Sequence, residues 1–567
     1  MTSAAHTRRA VPPPLEDLPS EVDVLVVGAG PVGSALAIEL ALHGVYPLVL
    51  DREAEISHAN VRARNVSIRT MELARKWGIA ERLRALQALP DDWYRGFVIR
   101  TRVAGHDLCP PIYGDRPAWT PHAHWHELSA ERPQDLPQYH LNAVFQERAL
   151  ELGVNIARGW EVTGAVPEED GAIVTAVNVG TGAERTIRTQ WLVGCDGARS
   201  PVRRAAGIAM VATEPHGRIY NVVVRIENAF ERLGLRPASL MFVFNPDVAG
   251  MVSPIDGDHW RLGVGPVPLD ETIDEDDLLE VVAQHLGRDV QPEILSASSY
   301  LAQKRVVVTR REGRILLAGD AAHAYPPHLG QVMNSGVADA VMLGWTLAAV
   351  VHGWGGDVLL DAYSQERTAV SHRLSDATLA MAAATTDAER LIRSFGDLDG
   401  DDPGTVARRA ELGAVITEVM GSGNDGLIFD DRHPDSPIVL PDGSDPVPED
   451  PSRYIAAARP GHHAPHVWLG DDEALSDHLG PWFTLLDTGA EEDRLSEITT
   501  ALAVAAVPHT VLRTRHPGVR DAYAAPLTLI RPDRVVAWRA GVEDHFPPRI
   551  ADVVRGAVGV PAAEVVR

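Results

Sequence analysis

The run Gly28-Ala29-Gly30-Pro31-Val32-Gly33 constrains the fold of this chain more than any other stretch. It follows a nearly continuous apolar segment, Val22 to Val27, as expected for a strand covered on both faces. It opens a stretch of helical character, Ser34 to His43, and Gly44 stands where a helix C-cap is expected. A second apolar strand, Tyr46 to Leu50, ends at Asp51 and Arg52. Gly28 permits a tight turn, Gly30 lets the main chain approach a pyrophosphate, and Gly33 lets helix and strand lie close together. The free N–H groups and positive dipole end of the helix then face the phosphates. Asp51, 23 residues after Gly28, is placed to accept hydrogen bonds from ribose hydroxyls. The chain therefore starts with a βαβ unit for a dinucleotide, and the glycine turn alone does not say which dinucleotide.

A length of 567 residues leads to an expectation of two to four domains. With 52 basic and 78 acidic residues the formal net charge is -26, which argues against nucleic acid and anionic membrane as partners. The only cysteines, Cys109 and Cys195, can build neither a disulfide framework nor a cysteine zinc site, which fits a reducing cytoplasm. In Met1 to Glu21, Arg8 and Arg9 are followed by Pro12, Pro13 and Pro14 and not by an apolar run. That segment reads as a loose tail, not a signal peptide. The most apolar long segment, Val337 to Trp354, contains Asp339 and His352 and falls short of the roughly 20 residues of a membrane span. It reads as a buried helix.

Helical character is expected at Thr70 to Leu86, Leu141 to Leu152, and from near Asn334 to about Ser394. Strand-like runs are Trp191 to Val193, Ile219 to Ile226, Ser239 to Phe244, Trp260 to Val264 and Arg314 to Ala318. The runs between 218 and 266 suffice for a second, mostly antiparallel sheet. Residues 396 to 404 are a polar break, and 430 to 452, rich in Asp and Pro, read as a linker. The remainder carries strands of its own, Trp482 to Leu486 and Leu527 to Ile530.

Two further motifs separate FAD from NAD. Residues 192 to 203 read LVGCDGARSPVR, and residues 316 to 339 read LLAGDAAHAYPPHLGQVMNSGVAD. With the glycine turn these are three dispersed motifs in the right order, and from about residue 22 to 390 the sequence resembles the single-component FAD-dependent aromatic hydroxylases, the family of para-hydroxybenzoate hydroxylase and phenol hydroxylase. The resemblance implies an α/β fold in which a Rossmann-type FAD-binding domain (21–86, 136–215 and 305–395) is interleaved with a mostly antiparallel substrate-binding domain (87–135 and 216–304). A tail (1–20), a helical segment and linker (396–452) and a thioredoxin-like domain (453–567) complete the expectation. That last domain begins at Arg459-Pro460-Gly461 and Ala464-Pro465-His466-Val467-Trp468-Leu469, and its lack of cysteine excludes redox exchange.

The same resemblance implies roles for residues. Asp320, with Gly319, would bind the ribityl chain of FAD. The loop through Pro327, Gly330 and Gln331 would pass the isoalloxazine ring. Asn334, preceded by Val332 and Met333, would open a helix whose positive end faces the pyrimidine edge, where reduced flavin is anionic. Asp196 and Gly197 would serve FAD and the pyridine nucleotide, with Arg203 touching the latter's phosphates. Arg62 and Gln138 would lie beside FAD. Gly28, Gly30, Pro31, Gly33, Asp51 and Arg52 complete the cofactor set. Asp196 is also readable as the cap of a helix beginning near Pro201, and His323 as a packed core histidine.

The implied chemistry is hydroxylation of a phenolic or polyketide substrate with NADPH or NADH as transient reductant and O2, through a flavin C4a-hydroperoxide. Water must be excluded and the phenolate favoured. His323, Tyr220 and Arg64 are the candidate catalytic residues, with Tyr139, His140 and Phe244 also near the ring. Baeyer–Villiger oxidation or epoxidation, and flavin binding without oxygenase activity, remain alternatives. The chain departs from the family at Val332, where glycine is common, and at Arg64, where some phenol-oxidising relatives carry histidine. Absence of a second GxGxxG fits a nucleotide that binds only transiently. His122, His124 and His126 alternate as a strand face would, but have no second ligand cluster, so no metal is expected. The assembly is expected to be a monomer or homodimer.

Overall fold

The computed structural model describes residues 17–56, 65–86, 94–108, 125–233, 238–245, 248–255, 258–287, 290–327, 330–396, 398–420, 424–540 and 549–559. Five parallel strands form the nucleotide-binding sheet, in the order Ile315–Leu317, Glu184–Gly194, Glu21–Val27, Leu48–Asp51 and Asn155–Arg158. Continuous apolar runs make these strands because both faces are covered: Val24, Leu25 and Val26 are wholly or almost wholly buried. A hairpin, Trp160–Glu168 and Gly171–Asn178, joins antiparallel to Glu184–Gly194.

The first helix, Pro31–Leu42, begins earlier than the apolar pattern suggested. Proline at its first position lacks the N–H that a helix start leaves unpaired anyway. The helical stretch expected from Thr70 to Leu86 is two helices, Ile68–Lys76 and Ala80–Ala85, broken at Gly78, whose φ is 74°. The helix expected near Asn334 starts at Gln331 and runs to Val351. It lies against the first helix: a Cβ at Gly344 would come within 2.5 Å of Glu39 Cβ. Among the described residues it is long and apolar enough to cross a membrane, yet 83% of its apolar window is buried inside the protein.

A second sheet has the order Glu293–Leu301, Arg218–Arg225, His259–Val267, Ala249–Pro254, Ala238–Phe244 and Tyr94–Arg100. All pairings are antiparallel except the last. Helix Glu275–Leu286 covers one face through Leu278, Val282 and Leu286, against Val222, Val224, Trp260 and Leu262. Part of the other face, at Phe242 and Phe244, is covered by Ile392, Leu412 and Ile416, which lie on the helices Val358–Ser394 and Pro403–Met420. Trp125–Leu128 joins neither face; it packs on Ile68 and Phe429.

The C-terminal unit is a four-stranded sheet ordered His509–Arg513, Phe483–Asp487, Leu527–Ile530, Val536–Arg539, with helices Glu492–Val504, Pro517–Tyr523 and Ile550–Val554. It is anchored by buried charge. The Arg531 guanidinium donates to both Glu366 oxygens at 2.8 and 2.9 Å and lies over the Trp345 ring. Lys76 donates to the Pro532 carbonyl, and Arg534 Nη1 lies 3.8 Å from Glu72.

Titratable groups at this junction fix its response to acid. Burial, reinforced by the Arg69 guanidinium, pushes His463 down to about 3, and burial pushes His466 and His462 down to about 4. Burial opposes ionisation of Glu72, but Arg69 outweighs it and holds the carboxyl at about 2. In each case the unfolded chain binds its proton at a higher pH than the folded one. The histidines therefore stabilise the fold fully above their ordinary 6.5 and lose that contribution as pH falls towards 3 or 4. Glu72 loses its contribution between 4.5 and about 2. Thermal stability should fall as pH drops below about 6.5, and His463→Gln with His466→Gln should flatten the slope between about pH 6.5 and 5. An equally steep slope in the double variant would refute this origin.

Candidate functional site

The glycine turn is built as its sequence requires. Gly28 has φ 103°, and its N–H donates to the Leu50 carbonyl at 2.7 Å. A Cβ at Gly33 would collide with the Gly28 carbonyl, so only glycine lets the helix sit this close to the strand. Asp51 closes the turn: its Oδ2 accepts from Ala29 N at 2.6 Å and its Oδ1 from Glu53 N at 2.8 Å. Arg52 lies at the surface against Glu53. Helix Gln138–Glu151 grips the turn from the side, with Gln146 Nε2 donating to the Ala29 carbonyl at 2.6 Å. Gln138 is the first residue of that helix. Gln146 was not legible as a site residue, because a polar side chain at a helical spacing carries no motif.

Gly319, φ 63°, and Asp320 form a short turn after the strand Ile315–Leu317. This turn meets the first at Val32. A Cβ on Gly319 would lie 2.8 Å from Val32 Cγ2, and one on Gly336 would lie 2.7 Å from the same atom. Pro327 accepts from Gly330 N at 2.9 Å, and Gly330, φ 63°, starts the Gln331–Val351 helix. In the first turn of that helix Asn334 Oδ1 accepts from Ser67 N and Thr70 Oγ1, while its Nδ2 donates to the Asn65 and Gly330 carbonyls. Its amide is thus fully engaged in holding two helix starts together. Val332 turns towards Tyr325, Val370 and Leu374, and Met333 packs on the main core.

Ser200 is the N-cap of the helix Pro201–Ala205, accepting from Arg203 N, and Asp196 adds a second bond at that helix start, from Val202 N at 3.1 Å. Burial pushes its carboxyl up, and its Oδ1 is buried without a hydrogen bond from the described residues. Gly197 beside it, φ 80°, and Gly30 both open to space: a Cβ on either meets nothing within 4 Å. An open glycine at the helix start and an acid at the end of the second strand are what an adenine dinucleotide requires, and the unsatisfied Asp196 oxygen leaves an acceptor for a ligand hydroxyl. The residues present fit FAD.

Four expectations are corrected. His323 is wholly buried; its Nε2 lies 3.0 Å from Asp339 Oδ2 and its ring stacks on Tyr325, so it is a packed core group. Tyr220 packs against the helix-covered face of the second sheet, and its hydroxyl accepts from Ile273 N at 3.0 Å. Alternation along a strand places Val223 on the opposite face, with Ile255 and Tyr139, so Tyr220 points away from the seam with the nucleotide-binding unit. Arg203 is buried and donates to the Ala321 and Ala198 carbonyls, which spends its guanidinium inside the protein. The fourth is the helix start, which falls at Gln331 and not at Asn334. Arg62 and Arg64 lie outside the described residues, as do Cys109, His122 and His124. His126 stacks at an angle on Trp468, and no group of metal-binding side chains occurs among the described residues.

Tyr139 and His140 stand beside Gln138 with ring centroids 4.4 Å apart. On the sheet face that Tyr139 meets, Arg261 Nε donates to Asn221 Oδ1. Phe244 is on that same sheet, under the covering helices.

Comparison with known proteins agrees with this geometry. Residues 21–378 match the family model described as an FAD binding domain, and residues 457–561 match the aromatic-ring hydroxylase C-terminal model. The dialkyldecalin synthase of Streptomyces rugosporus is 33% identical, over 91% of this chain and 96% of that protein. The tetracenomycin B2 monooxygenase-dioxygenase of Streptomyces olivaceus is 28% identical, over 94% and 98%. Among solved structures, the rebeccamycin biosynthetic enzyme RebC with reduced flavin superposes with a TM-score of 0.83 at 31% identity, covering 95% of this chain and 100% of that one.

The two glycines predict separable defects. Gly30→Val points into open space, so it should leave apoprotein stability within about 1 kcal/mol while weakening FAD binding at least about tenfold. Gly33→Val should instead destabilise the apoprotein by about 2 kcal/mol or more. Thermal melts of apoprotein and flavin-fluorescence titration separate the two; equal loss of stability in both variants would contradict the assignment.

Proposed function

The chain belongs to the FAD-dependent aromatic-ring hydroxylases, and on that premise we propose that it hydroxylates a phenolic or polyketide aromatic substrate, with electrons from NAD(P)H and one oxygen atom from O2. The observation that carries this reading is the meeting of the glycine turn and the Gly319-Asp320 turn at Val32, together with a second sheet whose Val223 and Ile255 pack against Tyr139, the residue after Gln138. When bound, FAD supplies the electron relay between NAD(P)H and O2.

This chain's residues would do the rest. The N–H groups that follow Gly30 would take the pyrophosphate, and Asp51 the adenosine ribose. Asp320 would hold the ribityl chain, and Asp196 and Gly197 its approach. The positive end of the Gln331–Val351 helix would stabilise negative charge on the ring system. The aromatic substrate would lie on the sheet face that carries Asn221, Val223 and Arg261, where a paired amide and guanidinium sit among apolar side chains. The helices Val358–Ser394 and Pro403–Met420, through Ile392 and Ile416, would close the apolar end of that face and limit water. The C-terminal unit would be thioredoxin-like: two parallel strands with a helix between, then two antiparallel strands and a helix, support that topology.

A second reading, flavin binding without oxygen insertion, draws on two observations. Val332 wedges among Tyr325, Val370 and Leu374 where the family commonly has glycine, and a synthase is among the relatives. A panel of phenols and fused-ring polyketides decides between them. Hydroxylation predicts that substrate accelerates NAD(P)H oxidation and that oxygen from labelled O2 appears in the product by mass and NMR. Failure of NAD(P)H to reduce the bound flavin with every compound would exclude the hydroxylase reading.

A further inference from the structure

Asp339 sits in the Gln331–Val351 helix with no exposed surface. Four donors from four segments converge on its one carboxylate. Oδ2 accepts from Arg310 Nη1 at 2.6 Å, from Gly319 N at 3.1 Å, and meets His323 Nε2 at 3.0 Å. Oδ1 accepts from Arg367 Nε at 2.8 Å. Burial alone would push this carboxyl up, but Arg310 and Arg367 outweigh it and hold it far below the ordinary carboxylate range, so it is ionised at any working pH.

One of those donors is the main-chain N–H of Gly319, the residue before Asp320. The turn it belongs to has no slack elsewhere. Gly336, three residues before Asp339, would place a Cβ 3.1 Å from Gly319 Cα, and Val32 fills the other side. The carboxylate therefore fixes the height of the Gly319-Asp320 turn on its helix, while Val32 fixes the same turn against the glycine turn. Arg367 extends the anchor to Asp431 at 3.1 Å and to the Ser335 carbonyl at 3.3 Å, in the helix's first turns.

We propose that Asp339 is a positioning residue for FAD: its buried carboxylate sets the distance between the turn that carries Asp320 and the glycine turn, and so the span the cofactor must bridge. The inference rests on the FAD reading above. It predicts that moving the carboxylate by one methylene, with its charge kept, costs cofactor affinity more than it costs the fold.

Asp339→Glu retains the charge that both guanidiniums need, so it is the informative variant, with Asp339→Asn beside it. Glu366→Gln is the control, since it loosens a buried arginine pair at the C-terminal junction and not at the turn. Each apoprotein is melted, then titrated with FAD by fluorescence, and the visible flavin spectrum of each complex is recorded. Asp339→Glu should raise the FAD dissociation constant at least about tenfold and shift the flavin bands. Glu366→Gln should lower the melting temperature but leave the constant within about twofold and the spectrum unchanged. If Asp339→Glu binds FAD as tightly as the unaltered protein with the same spectrum, the inference is wrong. If Glu366→Gln weakens FAD as much as Asp339→Glu at equal loss of stability, the effect is general to the fold and the inference is also wrong. Failure of the unaltered chain to bind FAD would instead overturn the cofactor reading itself.

Discussion

The structure depends on how closely helix Gln331–Val351 approaches helix Pro31–Leu42. Gly336 and Gly344 on the second helix leave room for Val32 and Glu39 on the first, and any side chain at either glycine would separate them. That approach brings two glycine-bearing turns, one near residue 30 and one near residue 320, into a single frame. Separated by nearly three hundred residues of sequence, they share one contact at Val32. A β-branched residue suits that position because its shape is fixed once χ1 is set, which makes it a rigid spacer between glycines.

Close approach of backbones brings polar groups into the interior, and the chain answers with paired charge. Glu39 is fully buried, but Lys76 donates to both its oxygens and Trp77 Nε1 to one. Arg310, Asp339 and Arg367 form a second such cluster, and Glu366 with Arg531 a third. Buried pairs of this kind add little net stability against an apolar replacement, because desolvation offsets attraction. Removing one partner is what costs, so the clusters act as location devices. The third joins the C-terminal unit to the Val358–Ser394 helix, and the second ties that helix to the Gly319 turn. The C-terminal unit is thereby coupled to the cofactor frame through ionic contacts, with no redox group of its own.

Much of this was legible in sequence, and the reasons differ by element. The first βαβ unit was readable because glycine spacing, apolar runs and the acid at Asp51 are all local. Strand Leu527–Ile530 was read to the residue, since three apolar residues and a threonine between proline and arginine leave little choice. The break at Gly78 was missed because Trp77 and Ile79 keep the apolar period through it. His323, Tyr220 and Arg203 were misassigned for a common reason. Residue type suggests chemistry, but which face of a strand or helix meets the cofactor is decided by the sheet's other neighbours. Tyr220 and Val223 are three residues apart and lie on opposite faces. One signal was available and was used only to reject a membrane span: an aspartate in the most apolar helical stretch of the chain. A charge placed there must have partners, and here they include Arg310 and Arg367, from distant segments.

The same frame explains why valine is tolerated at 332. Glycine at a helix start gives the preceding loop freedom to rearrange. Here Gly330 already supplies the left-handed conformation that the entry to the helix needs, two residues earlier. Val332 then turns away from the entry and into Tyr325, Val370 and Leu374. Its side chain links the loop to helix Val358–Ser394, the same helix that Asp339 holds through Arg367. Loop, turn and both helices are therefore fastened at two points, one apolar and one ionic. The apolar point joins Tyr325 to Val370 and Leu374, and the ionic point joins Gly319 to Arg310 and Arg367, so two separate stretches of the chain are tied to the same pair of helices.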